Sequence, residues 1–217
     1  MATPPAPAPE NQLVTGLAKL GLALRHEAWR TAGPRGLNPT QAQILVCLAR
    51  GHAPRLQELA RELGVTDATA SDAVSALVQK ELVRKTRSSS DARALVLELS
   101  AKGKREAARA SQWPDHFLSA ASTLSAEEQA VLLRSLTKII RHLQLEGRIA
   151  VARMCASCTF FRPHAHRSAA RPHHCAFVDA AFGPGELRLE CADHEPVAAE
   201  QAQTVWERFA SGGPSPD

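Results

Sequence analysis

The chain has 217 residues, a formal net charge of +4, five cysteines, nine histidines and no tyrosine. An apolar share of 44% beside 22% charged residues is that of a globular protein and excludes wholesale disorder. No stretch approaches the roughly twenty apolar residues that span a bilayer, and the start MATPPAPAPE lacks both the basic and the apolar region of a secretory signal. A cytoplasmic location is therefore expected, with no membrane partner. There, cysteines serve more often as ligands or reactive thiols than as disulfides. Cys47 stands alone, whereas Cys155, Cys158, Cys175 and Cys191 fall in one short segment together with His164, His166, His173, His174 and His194. Two functions are expected in one chain.

Residues 1–10 are rich in proline and alanine and read as a disordered arm. Leu13, Leu17, Leu20 and Leu24 then recur at the spacing of one helical stripe, which ends at the breaker Gly33-Pro34-Arg35-Gly36. Asn38-Pro39-Thr40 opens a second helix with Ile44, Leu45 and Leu48 on its apolar face. A third, about 55–63, stops at Gly64, and Thr66 caps a fourth, about 67–81, whose inward face is Ala70, Val74, Leu77 and Val78. The period then changes. Leu82–Thr86 and Ala94–Leu99 are strands of a hairpin with a polar tip at Ser88–Asp91. Helix follows to about Ala121, broken near Trp113-Pro114, and Ser125 opens a long helix with the stripe Leu132, Leu136, Ile139, Ile140 and Leu143. Beyond Gly147 the pattern turns irregular, with one further short helix within Pro196–Phe209 and a Gly/Pro/Ser tail at 211–217. The expected domains are a winged-helix DNA-binding and dimerisation domain at 11–147 and a cysteine- and histidine-rich metal-binding module at 148–210.

Helix, glycine-containing turn, helix and basic hairpin is the order of a winged helix-turn-helix, whose second helix enters the major groove. Charge agrees. Between Glu81 and Arg105 seven Lys/Arg face three acids, a surplus of four that equals the net charge of the whole chain. Such a localised basic patch is the footprint of a phosphate-binding surface.

LNPTQAQILVCL, LQELARELGVTDATASDAVSALVQKELVRK and SSSDARALVLELSAKGK together resemble the second helix, helix-turn-helix and wing of the multiple-antibiotic-resistance-regulator (MarR) family. The resemblance includes an Asp-x-Arg wing tip, here Asp91-Ala92-Arg93, and a turn resembling T-x-x-G, here Ser100-Ala101-Lys102-Gly103. It implies a mainly α fold with a small β wing, a homodimer built on the first and last helices, and a pseudo-palindromic DNA operator as partner. A small-molecule effector is a further expected partner. The leucine stripes also call for a partner surface, whether a second chain or each other. Candidate DNA contacts are Thr69, Ser71, Asp72 and Ser75 on the reading helix and Arg84, Lys85, Arg87, Asp91 and Arg93 on the wing, with Arg93 the strongest. None of the reading-helix residues is basic, so affinity for base edges is expected to be modest; Asp72 either accepts from a cytosine amino group or discriminates against wrong sequences. Cys47 lies within an apolar face and reads as packing.

In the second half the four cysteines sit among Arg, His, Pro and Gly rather than on an apolar stripe, which favours thiolates on a metal over buried filling. A zinc site usually pairs two C-x-x-C knuckles, and only Cys155-Ala-Ser-Cys158 is present, although His174 or His194 can replace a thiolate. One knuckle plus two single cysteines suits an iron–sulfur cluster. The stretch CASCTFF…HHCAFVDAAFGPGELRLEC also resembles, over a short length, the cluster-binding region of high-potential iron–sulfur proteins. Phe160, Phe161, Phe177 and Phe182 lie between the ligands and can exclude water. One iron–sulfur cluster per chain is the favoured cofactor, and zinc the alternative. An enzyme is not expected, because no nucleophile–base constellation or phosphate-cradling glycine loop occurs. The competing class is an iron–sulfur electron-transfer protein that keeps a winged helix only for dimerisation.

Overall fold

The computed structural model describes residues 8–50, 55–87 and 95–211. The chain folds as two compact units, one on either side of Gln112–Trp113.

The first unit begins with α1 (Pro9–Ala32), so the expected arm is corrected at its end: Pro9 and Glu10 are already helical, Pro9 occupying the first turn where a missing N–H costs nothing. A short 3₁₀ turn (Gly33–Arg35) leads to Gly36, whose φ of +67° reverses the chain. In α2 (Pro39–Ala49), Asn38 Oδ1 accepts from Gln41 N (2.8 Å) and Gln41 Oε1 accepts from Asn38 N (3.4 Å), a reciprocal cap that fixes the helix start. The unit continues with α3 (Leu56–Leu63), Gly64 in the left-handed region (φ +63°), and α4 (Asp67–Gln79), where the Thr66 hydroxyl accepts from Thr69 N. Ile44, Leu45, Leu59, Val74, Leu77 and Val83 are each at most 1% exposed and form one core, with Cys47 buried at its edge.

Strands β1 (Val83–Arg87) and β2 (Leu95–Leu99) pair antiparallel, Val83 opposite Leu99 and Arg87 opposite Leu95. Their tip, 88–94, lies outside the described residues. The Ser100 hydroxyl joins this wing to α5 (Ala101–Ala110): it accepts from Gly103 N (2.9 Å) and donates to Glu81 O (2.7 Å). A Cβ on Gly103 would fall 1.9 Å from Leu82 O, so only glycine permits the approach.

The second unit contains α6 (Asp115–Ser122), started by Pro114, and α7 (Ala126–Leu145), opened by a Ser125–Glu128 capping box. The hydrogen bonds from Ser125 hold the Glu128 carboxyl below its ordinary value. The helix α7 packs against the 3₁₀ turn Pro184–Glu186. The compact division therefore groups α7 with the cysteine-rich segment, whereas the sequence draws its boundary at 147/148. That segment is also more regular than expected. Strands β3 (Phe161–Arg162), β4 (His173–Cys175) and β5 (Ala180–Phe182) form an antiparallel sheet in that order, followed by α8 (Ala199–Ser211). Strands of two or three residues are too short to leave a period in sequence. Phe209, 1% exposed, packs on Phe161 (ring centroids 5.8 Å apart) and joins Ala156, Cys158 and Leu187 in a second core.

The stripe on α1 remains uncovered and that on α7 in part, Leu136, Ile140 and Leu143 being half-buried. Leu13 (64%), Leu20 (58%), Val131 (60%) and Leu132 (45%) keep much of their surface exposed. Among the described residues no helix is long and apolar enough to cross a membrane.

Candidate DNA interface and cysteine centre

Asp67, Ala68, Thr69, Asp72, Ser75 and Gln79 are exposed on α4, and Ser71 is half-buried. They lie opposite the face formed by Ala70, Ala73, Val74 and Leu77. The Thr69 hydroxyl lies 2.9 Å from that of Thr66 at the cap, an arrangement that presents the N-terminal turn of the helix. On the wing Arg84 and Lys85 are exposed, Arg84 opposite Glu98. A groove at the base of the wing is lined by Arg84, Lys85, Lys102 and Arg105 over Val78 and Val83. Arg87 closes β1, while Asp91 and Arg93 lie outside the described residues. Lys80, just past α4, donates to Gln41 Oε1 (2.8 Å) and to Gly36 O, tying the end of α4 to the start of α2. Two helices and a basic hairpin are thus held on one small core.

The second site is a cavity of about 190 Å³ lined by all four late cysteines. Cys155 and Cys158 come from the 3₁₀ turn Cys155–Ser157 and its end, Cys175 from the end of β4 and Cys191 from the segment before α8. Phe160, Phe161, Phe177 and Phe182 complete much of the wall, as their positions between the cysteines suggested. The local backbone is tightly stitched. Cys158 N donates to Cys155 O, Cys155 N to Arg188 O and Cys191 N to Arg153 O, at 2.9–3.0 Å. All four thiols are free. Burial pushes the Cys155 thiol up from its ordinary pKa and the nearby Cys191, Cys158 and Cys175 push it further, while the N–H of Arg188 acts the other way. Deprotonating the group therefore calls for a compensating cation.

Sequence reasoning missed Arg188. Its backbone N–H donates to Cys155 Sγ (3.4 Å) and its guanidinium to Cys191 Sγ (3.6 Å). Its only sequence signal is a place three residues before a cysteine. The histidines lie elsewhere. His174 and His194 are not among the residues lining the cavity. Strand alternation sets His174 on the opposite face from Cys175, and His194 Nε2 lies 3.0 Å from the Ser157 hydroxyl. His173, 2% exposed, packs against Phe161 and Phe182, and burial lowers its pKa to about 4. Among the described residues, no group of three or more His, Cys, Asp or Glu is arranged to hold a metal ion as it stands.

The second core also reaches α7. Arg134 and Lys138 donate to Ala210 O at the end of α8 (3.0 and 3.4 Å), and the Arg141 guanidinium lies 4.6 Å above the Trp206 ring. Burial lowers the pKa of Arg141.

Residues 37–95 match the model of the MarR family. No curated protein matches the chain. Among solved structures, the transcriptional regulator PA3341 is similar at 27% identity with a TM-score of 0.53, the match covering 61% of this chain and 98% of that one. The transcriptional regulator BldR from Sulfolobus solfataricus is similar at 27% identity and a TM-score of 0.51, covering 61% of this chain and 95% of that one. AbsC, a MarR family regulator from Streptomyces coelicolor, shares the fold at 23% identity and a TM-score of 0.53, covering 65% and 99%. These proteins are matched almost end to end by about three-fifths of this chain, and the rest has no counterpart in them. Residues 37–95 are thus similar to the MarR family over the helix-turn-helix and the wing, and the solved structures at 27% identity are transcriptional regulators.

Proposed function

We propose that the chain is a cytoplasmic, dimeric, sequence-specific DNA-binding repressor of transcription whose operator affinity is set by a metal centre on Cys155, Cys158, Cys175 and Cys191, an iron–sulfur cluster in preference to zinc. The observation that carries the regulator reading is the match over residues 37–95 together with the basic groove at the wing base. Arg84, Lys85, Arg87, Asp91 and Arg93 serve the duplex backbone and minor groove, and Thr69, Ser71, Asp72 and Ser75 serve the major groove. The uncovered leucines of α1 and α7 support a dimer, since a second copy is the commonest cover for such stripes.

All four cysteines and four phenylalanines line one cavity of about 190 Å³. A polynuclear cluster held by four cysteines suits that arrangement. The centre has a route to α7 through Trp206 and Phe209 of α8, which share a core with Cys155 and Cys158, as well as through the connection Gly147–Met154. A reversible cluster makes the protein a sensor of redox state, oxygen or iron.

Electrophoretic mobility shifts at low salt test the regulator reading, and absence of DNA binding with and without metal overturns it. The visible spectrum and metal content of anaerobically purified protein test the cofactor. Sulfide, iron and a broad visible absorption are expected. A colourless preparation with one zinc per chain overturns the cluster and leaves a structural zinc beside a small-molecule effector.

A further inference from the structure

We propose that the module carries a second metal site, separate from the cysteines, in which His166 Nε2 and His174 Nδ1 hold an exchangeable Zn²⁺ or related divalent transition ion and Asp179 orients His174. Backbone fixes both histidines. His166, in the β3–β4 loop, donates its N–H to Pro172 O (3.0 Å), and Pro172 is buried. His174 is the middle residue of β4, between Arg162 and Ala181. Asp179 occupies the β4–β5 turn with a φ of +48°, left-handed backbone that an aspartate adopts more readily than most residues.

The two ring nitrogens are 3.3 Å apart and the ring centroids 5.3 Å apart, with the planes inclined at 63°. Two imidazoles on one tetrahedral zinc, with Zn–N about 2.05 Å, place their nitrogens about 3.3 Å and their centroids about 5.2 Å apart. Without an ion the same two nitrogens are within hydrogen-bond reach; an ion between them replaces that bond with two metal–nitrogen bonds.

The other nitrogen of His174 supplies an independent observation: Nε2 lies 3.4 Å from Asp179 Oδ1. A carboxylate accepting from the far N–H of a ligating histidine fixes the tautomer that leaves Nδ1 free for the metal. His166 and Asp179 are exposed, so solvent reaches the site. Among the described residues no third such group is arranged with them. Water therefore fills the remaining positions, and the ion exchanges, unlike one in a closed four-ligand site. Imidazole donors select zinc, copper or nickel over calcium and magnesium.

Isothermal titration of the full-length protein with Zn²⁺, wild type against His166→Ala, tests the site, with metal content measured beforehand. One equivalent per chain is expected to disappear in His166→Ala, and Asp179→Asn is expected to weaken that equivalent by about 10–100-fold. Co²⁺ as a parallel probe gives visible absorption lost in the same variants. The readout is the difference between proteins, so it stands whether the cysteine centre holds iron, zinc or nothing. Identical titrations of wild type and His166→Ala, with both folded by circular dichroism, overturn the proposal.

Discussion

Gly103 sits in the first turn of α5, where alanine ordinarily gains about 0.8–1.0 kcal/mol over glycine. Here the added Cβ meets Leu82 O at 1.9 Å, Leu82 C at 2.9 Å and Leu99 Cδ2 at 3.3 Å. Two of these are backbone atoms and cannot swing away, so α5 must retreat from the wing by more than about 1 Å. Overpacking of this kind costs about 1–3 kcal/mol. Leu82 O also accepts from Ser100 N (3.0 Å), and straining that bond adds about 1 kcal/mol. The excess over the helical gain is about 1–3 kcal/mol, which lowers the melting temperature of a unit of this size by roughly 5–15 °C. Thermal unfolding followed by circular dichroism is the assay. Gly33→Ala is the control, because Gly33 has right-handed backbone (φ −53°) and nothing within 4 Å of its Cβ position. A Gly103→Ala protein as stable as the wild type refutes the close approach, and with it the rigid seating of the wing on α5.

Ser100→Ala removes both the cap on Gly103 N and the bond to Glu81 O; a loss of about 1–2 kcal/mol is expected in chemical denaturation. Arg84→Ala with Lys85→Ala is expected to weaken operator binding at unchanged stability and to lower the slope of log affinity against log salt by about 1–2, and an unchanged slope in mobility shifts removes these residues from the interface. Phe209→Ala empties a fully buried position that contacts Phe161, His173 and Trp206, so the second unit should lose about 3–5 kcal/mol together with its metal; retained stability contradicts the packing of α8 on the module. Cys155→Ser with Cys158→Ser is expected to abolish iron content and visible absorption, and a double variant that keeps both excludes the ligand assignment.

Much of the first unit was legible because each element carries its own local signal. Asn38, Thr66 and Ser100 each cap a helix there, as Ser125 does in the second unit, and the leucine period marks the buried face of α2. The wing strands lie within a residue of their expected limits, since Val83–Arg87 and Leu95–Leu99 are long enough to show β-branched residues between turns. The small sheet β3–β4–β5 was not legible. Its strands are too short for periodicity, and no turn signal of the wing's kind marks which of its residues pair. His174 and Cys175 are neighbours in sequence, and nothing in that adjacency says that a strand sends them to opposite faces.

From residue order alone came the winged helix, the location of the surplus positive charge, and the grouping of four cysteines apart from Cys47. These are local or compositional properties, and a linear sequence states them directly. Tertiary structure alone decided what the cysteines surround, because a cavity depends on chain segments as far apart as Cys155 and Cys191 closing on one another. It also decided that Arg188 reaches two of the sulfurs, that α7 and α8 meet through Arg141 and Trp206, and that His166 and His174 face each other with Asp179 behind. Arg188 with Cys155 and Arg141 with Trp206 are far apart in the chain, and the nearer groups His166, His174 and Asp179 are brought together by strand pairing and the turn between β4 and β5.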